Sequence, residues 1–306
     1  MKALFATGRR EPLVSFGVAD GPRPRPDEAL IRVDAFSVNR GEMLLLEERD
    51  PGWRPGKDIA GVVEADAADG TGPAAGQRVT GHAECAGWAE YAAVPATSLA
   101  AIPETISAIQ AAALPLAGLT ALRLLRLAGN VTGRRILLTG ASGGVGHYVT
   151  ELAAAAGAEV TAVTASAERG RRLAELGAAQ VVHDVAAAPG PYDLVLESTG
   201  GENLPLTADR LAHEGTLIWF GQASLQPSTL SFFALRDGPG SVTIRQFSYW
   251  DFPASYGEDL AILVRLVTTG RLHPEIGRVA DWADTAATLA DLRERRIRGN
   301  AVLTVS

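Results

Sequence analysis

Apolar and polar positions change period along the chain, and the changes divide it into three stretches. From Met1 to about Pro103 the pattern is one of short strands and turns. ALIRVDAFSV alternates as a half-buried strand does, and DIAGVVEAD and QRVTGHAE are strand-like runs punctuated by glycine and proline. From about Ser107 to Leu127 the period is helical. Strands and helices then take turns: strand ILLTG, a helix from Gly144 to about Ala156, strand EVTAVTA, helix ERGRRLAELGA, strand QVVHD, strand DLVLEST, helix ENLPLTADRL and strand TLIWFG. The stretch from Tyr256 to Ser306 reads as two helices and a closing strand, AVLTV. Strands alternating with helices imply a parallel sheet covered on both faces. The expected fold class is therefore α/β, a doubly wound parallel sheet joined to a β-rich domain.

A chain of 306 residues can hold two domains, each with its own core. Its formal net charge of −7 argues against nucleic-acid binding through a basic face. Cys85 is the single cysteine, which leaves neither a disulfide framework nor a thiolate zinc cluster. No apolar run follows the charged opening MKALFATGRR, and AAALPLAGLTALRLL is broken by Pro115 and Gly118 before it reaches the length of a membrane span. The expectation is a cytoplasmic protein with no nucleic-acid or membrane partner.

The densest chemical signal is GASGGVG. Gly140, Gly143 and Gly146 stand three apart between a strand and a helix, with Ser142, Gly144 and Val145 among them. Glycines there permit a tight turn, close approach of backbone to a pyrophosphate and close helix–sheet packing, while the helix N-terminus offers free N–H groups. The next strand should lead to the ribose. It ends in TASAERGRR, so Thr164, Ser166 and Arg169 precede or flank the nearest acid, Glu168. Hydroxyls and a guanidinium suit a 2′-phosphate better than a diol, which favours NADPH over NADH. A solvated helix residue is the other reading of Arg169.

Several phrases together resemble the quinone oxidoreductase branch of the medium-chain dehydrogenase/reductase superfamily: AGWAEYAAVPATSLAAIPETISAIQAAALPLAGLTAL, GASGGVG, ERGRRLAELGAAQVV, LAHEGTLIWFG, TGRLHPEI and RIRGNAVLTV. The resemblance implies a GroES-like domain built from residues 1–116 and 253–306 around a Rossmann dinucleotide-binding domain, residues 117–252. It also implies a homodimer. Zinc-dependent relatives use an early cysteine and a Gly-His-Glu segment. The matching segments here read SVNRGE and PGKDIAGVV, with Lys57 and Asp58 in place of His-Glu, so no metal is expected. His82, Glu84 and Cys85 read as loop residues. None of the five tyrosines has a lysine four residues on, as a short-chain dehydrogenase would need, and no G-x-S-x-G elbow is present.

By the same resemblance, Asn39 is a catalytic candidate, Thr120 lies near the nicotinamide, and Thr199, Gly200, Gly221 and Gln222 border the cofactor from strand ends. Asn39 reads equally as a turn residue, and Thr120 as a helix hydroxyl bonded to its own backbone. Arg40 and Glu42 either line the pocket or form a surface pair. In IRQFSYWDF, alternation sets Phe247 and Tyr249 opposite Trp250 and Phe252, as an apolar wall or as core; Tyr249 is the candidate proton donor. Three departures from the family pattern bear on substrate and cofactor. Leu44 stands where the family has a tyrosine. Asp184 replaces a tyrosine that packs on the adenosine phosphate in the family, and an acid there would weaken the preference for NADPH. Asn300 follows Gly299 where the family has lysine, losing a cation near the active-site end.

Without a Lewis acid, a conjugated acceptor is easier to reduce than a simple ketone, because the charge spreads over an enolate or hydroquinone oxygen. The expected activity is hydride transfer from NADPH to a quinone or an α,β-unsaturated carbonyl compound. A pathway-specific enoyl or polyketide tailoring reductase, or a non-catalytic NADPH-binding sensor, are the alternatives.

Overall fold

A computed structural model describes residues 1–306. The chain forms two compact units, Met1–Leu119 with Pro253–Ser306, and Thr120–Phe252. Its first elements are β1 (Lys2–Ala6), β2 (Val14–Val18), β3 (Glu28–Val38), α1 (Arg40–Glu48), β4 (Asp58–Ala65), β5 (Arg78–His82), β6 (Tyr91–Pro95), β7 (Leu99–Ala101), α2 (Ala108–Ala112) and α3 (Pro115–Ala128). Next come β8 (Arg135–Leu138), α4 (Gly144–Ala155), β9 (Glu159–Val163), α5 (Ala167–Glu175), β10 (Gln180–Val182), β11 (Tyr192–Glu197), α6 (Asn203–Ala208), β12 (Leu211–Trp219), α7 (Phe232–Asp237) and β13 (Thr243–Gln246). The chain closes with α8 (Tyr256–Thr268), β14 (Ile276–Asp281), α9 (Thr285–Arg293) and β15 (Asn300–Thr304).

The first unit is built on a sheet of order β14-β15-β3-β4-β5-β7, with β6 also paired to β3 and the β1-β2 ribbon separate. The length of β3 lets its first half pair with β6, Ala29 opposite Val94, and its second half with β15, Phe36 opposite Leu303. The closing strand of the chain thus completes a sheet begun near its start. Phe36 stacks on Trp88 at 5.4 Å, and both are buried with Leu4, Leu46, Trp282 and Leu303.

In the second unit six parallel strands run in the order β10-β9-β8-β11-β12-β13. The first strand lies inside, its two successors to one side and three to the other, the doubly wound arrangement. Ile136–Leu138 and Leu194–Leu196 are wholly buried, as central strands covered on both faces must be.

Four local expectations are corrected. The helix expected over 107–127 is two helices, because Pro115 opens α3 at the position where its missing N–H costs nothing. The helix in ENLPLTADRL stops at Ala208, since Leu211 already pairs with Tyr192 and starts β12. A strand, β14, lies between the two closing helices, paired to β15. Strand β13 ends at Gln246 and the chain turns at Tyr249–Trp250, so Phe247 and Phe252 meet at 5.7 Å instead of facing opposite ways. No helix is long and apolar enough to cross a membrane.

Candidate dinucleotide site

The glycine turn connects β8 to α4. Gly140 has φ +63°, in the left-handed region, and a Cβ there would stand 2.5 Å from the Ser198 hydroxyl oxygen. A Cβ on Gly146 would strike the backbone of Ala141, so the first turn of α4 can lie against the strand end only if this position is bare. Gly143 caps α4, and its own N–H closes the turn onto the Gly140 carbonyl at 3.0 Å. Ala141 N–H bonds the Val163 carbonyl at 3.1 Å, tying the turn to β9. The N–H groups of Gly144, Val145 and Gly146 then have no carbonyl one turn earlier, and the helix dipole adds partial positive charge to them. These are the donors that an anionic diphosphate requires.

Beside this turn Thr164, Ser142 and Arg169 converge. Thr164 Oγ1 donates to Ser142 Oγ at 2.8 Å, and Arg169 Nε donates to the same oxygen at 3.1 Å. Ser142 and Thr164 are buried. A hydroxyl that accepts two hydrogen bonds keeps its proton to donate outward, beside a guanidinium. Arg169 is thus drawn to the phosphate turn and is not merely a solvated helix residue. Ser166 caps α5, its hydroxyl accepting from Arg169 N–H at 3.4 Å. Asp184 is engaged in the same way, accepting from Ala186 N–H at 2.9 Å. His183, not singled out in the sequence, bonds through Nδ1 to the Thr164 carbonyl at 3.1 Å.

At the ends of β11 and β12, Thr199, Gly200, Gly221 and Gln222 belong to two loops joined by backbone bonds. Ala223 N–H reaches the Ser198 carbonyl at 3.0 Å, and Ser224 N–H the Thr199 carbonyl at 2.8 Å. Trp219 Nε1 donates to the Gly221 carbonyl at 2.6 Å, and Gln222 Nε2 to the Gln226 carbonyl at 2.9 Å. Thr120 is buried on α3, three residues before the buried Arg123. The Arg123 guanidinium donates to the Tyr249 carbonyl at 2.6 Å and sits 5.5 Å from the Phe252 ring centre. The Tyr249 ring lies edge-on to Trp250 at 5.1 Å.

Asn39 and Asn300 belong to the first unit. Asn300 is buried on β15 and its side chain donates to the Glu275 carbonyl at 3.0 Å. Asn39 caps α1, and its amide nitrogen touches Asp58 Oδ2 at 2.7 Å and Glu42 Oε2 at 3.3 Å. Glu42 is completely buried, which overturns the surface pair with Arg40. Its oxygens accept from Asn39 N–H at 3.1 Å and Lys57 N–H at 2.8 Å. Burial, followed by the neighbouring Asp58 charge, pushes its carboxyl up to about 8. Asp58 also accepts from Ser37 Oγ at 2.6 Å and Leu116 N–H at 2.9 Å, with His82 Nδ1 at 3.4 Å. Burial and the charge of Arg295 lower the pKa of Arg40.

A Gly-rich strand–helix turn at the inner edge of a doubly wound sheet defines a dinucleotide-binding protein. Residues 25–104 match the family described as alcohol dehydrogenase GroES-like domain, and residues 144–264 the family described as zinc-binding dehydrogenase. The chloroplast envelope quinone oxidoreductase homolog of Arabidopsis thaliana is 32% identical over 221 residues, covering 64% of this chain and 67% of that one. A spectinabilin polyketide synthase system protein of Streptomyces orinoci is 32% identical over 294 residues, 92% of this chain and 13% of that one. Among solved structures, mycobacterial Rv1454c complexed with NADPH superposes with a TM-score of 0.89 at 26% identity, covering 99% of each chain. The chain belongs to the medium-chain dehydrogenase/reductase superfamily, in its quinone oxidoreductase-like branch.

Proposed function

We propose that this protein is an oxidoreductase that uses NADPH to reduce a quinone or an α,β-unsaturated carbonyl compound, without a metal. The observation that carries the proposal is the Thr164–Ser142–Arg169 cluster beside the phosphate turn. The turn fits a diphosphate, and the cluster fits a further phosphate on the neighbouring ribose. Bound there, the nicotinamide supplies a hydride. Gly144, Val145 and Gly146 N–H groups hold the diphosphate, and Arg169 and Ser142 hold the 2′-phosphate. The 198–201 turn and the Gly221–Gln222 loop shape the far side of the crevice. Asn39 in the first unit and Tyr249 in the second are proposed as catalytic residues, and Thr120 and Asn300 as cofactor contacts.

Reading the reaction as metal-free is supported by what occupies the positions of the family's ligands. Lys57 stands in one, and both Asp58 oxygens are already engaged by Ser37, Asn39, Leu116 and His82. A conjugated acceptor suits such a site, because its delocalised product charge needs only orientation and a few donors. The exposed outer strand β13, with an open edge, supports homodimer formation by strand pairing, which light scattering tests.

The functional test is NADPH oxidation at the nicotinamide band with a panel of quinones, enones and enoyl thioesters. Turnover of quinones or enones supports the proposal. Turnover of thioesters alone supports the tailoring reductase, a reading favoured by the polyketide synthase match along 92% of the chain. Bound NADPH that no acceptor oxidises refutes both and leaves the sensor reading.

A further inference from the structure

Glu197, the last residue of β11, is completely buried in the second unit. A carboxylate survives burial only when donors replace its water, and four do so here. Thr139 Oγ1 donates at 3.0 Å, Thr199 N–H at 2.9 Å and Gly200 N–H at 2.9 Å, and Thr199 Oγ1 makes a further short bond. Around it the contacts are reciprocal. Ser198 N–H donates to Thr139 Oγ1 at 2.8 Å, and Ser198 Oγ donates to the Thr139 carbonyl at 3.1 Å. Thr139 directly precedes Gly140, the first residue of the phosphate turn. One side chain therefore joins the exits of β8 and β11, the two strands between which the winding of the sheet reverses. A dinucleotide lies across that reversal, its adenosine half toward the second strand and its other half toward the fourth.

The bonding also settles what the 198–201 turn can offer. The N–H groups of Thr199 and Gly200 and the Thr199 hydroxyl all face inward to Glu197, and Asn203 Nδ2 donates to Thr199 Oγ1 at 3.0 Å. Thr199 and Gly200 thus contribute the shape of the crevice wall, not donors to a ligand.

We propose that Glu197 is a positioning residue, which fixes the wall for the nicotinamide half of the cofactor relative to the turn that holds the diphosphate. The proposal rests on the dinucleotide reading above. Its distinguishing consequence is an asymmetry between whole and half cofactor. Adenosine 2′,5′-bisphosphate meets the phosphate turn and the Ser142–Thr164–Arg169 cluster but not the 198–201 wall, whereas NADPH reaches that wall as well.

Titration calorimetry on the full chain tests this with Glu197→Gln, which places an amide donor among donors. Thr199→Val is a second variant, which removes the hydroxyl's bonds to Glu197 and from Asn203 but keeps the Thr199 and Gly200 N–H donors. Glu197→Gln should weaken NADPH by about tenfold or more, the effect of losing one or two charge-assisted bonds, and leave adenosine 2′,5′-bisphosphate within about twofold. Thr199→Val should show the same asymmetry to a smaller extent, which secures the test if Glu197→Gln fails to fold. Equal weakening of both ligands, or unchanged NADPH affinity in both variants, overturns the proposal. A wild-type protein that binds neither ligand refutes the dinucleotide reading itself, and this proposal with it.

Discussion

Replacing Glu42 by glutamine should change how stability depends on pH. Glu42 is fully buried, shares the Asn39 amide with Asp58, and has its carboxyl pushed up to about 8 by burial and by the Asp58 charge. In the unfolded chain it titrates near the ordinary glutamate value of about 4.3. Below that value the carboxyl is protonated in both states and its contribution to stability is fully present. As pH rises toward about 8 the unfolded state releases the proton while the folded state keeps it, so stability falls by about 1.4 kcal/mol per pH unit. On the order of 5 kcal/mol is lost by pH 8, after which this dependence flattens. Glutamine cannot ionise, so the variant should lack this slope. Its NH2 group cannot accept from Lys57 N–H or from Asn39, at a cost of about 1–3 kcal/mol at every pH. Glu42→Gln should therefore be the less stable protein at pH 5 and the more stable at pH 9, with the curves crossing near pH ~6. Urea unfolding followed by tryptophan fluorescence measures this, since Trp88 is buried in the same unit and bonds the Ser37 carbonyl at 3.2 Å. A variant that keeps the wild-type slope between pH 5 and 8 refutes the assignment of the stored proton to Glu42.

Two further outcomes are expected. Arg169→Ala should raise the KM for NADPH by about 10- to 100-fold and that for NADH by less than about twofold, because it removes a charge-assisted phosphate contact worth ~1.5–3 kcal/mol; steady-state kinetics with both cofactors check it. Exhaustive dialysis against a chelator should leave the rate of hydride transfer unchanged, and a rate that falls and returns with added zinc would contradict the metal-free reading.

The parallel sheet and its phosphate turn were legible because they are local. The apolar run Ile136–Leu138, a glycine where the left-handed region is required and an N-terminal helix turn all lie within a dozen residues around Gly140. Glu42 was harder to read, since an acidic residue beside arginine suggests surface, and only the packing of α1 against Lys57 and Asp58 buries it. Yet a signal existed. Asn39 followed three residues later by Glu42 is the spacing of a reciprocal helix cap, which turns the carboxyl back onto the chain. Glu197 carried no such mark, because its partner Thr139 is 58 positions away and reaches it only through the pairing of β8 with β11. The aromatic run from Phe247 to Phe252 misled for the opposite reason. Its alternation is genuine, but β13 stops at Gln246, and the buried Arg123 draws the turn round itself.

The central claim is that the turn after β8, with Ser142, Thr164 and Arg169, holds a phosphorylated nicotinamide dinucleotide. Calorimetric titration of the purified protein with NADPH and, separately, NADH tests it most directly. One NADPH should bind per chain, more tightly than NADH by about tenfold or more, and the preference should vanish in Arg169→Ala. Heat-silent titrations with both nucleotides at millimolar concentration, or NADH binding as tightly as NADPH, would contradict it.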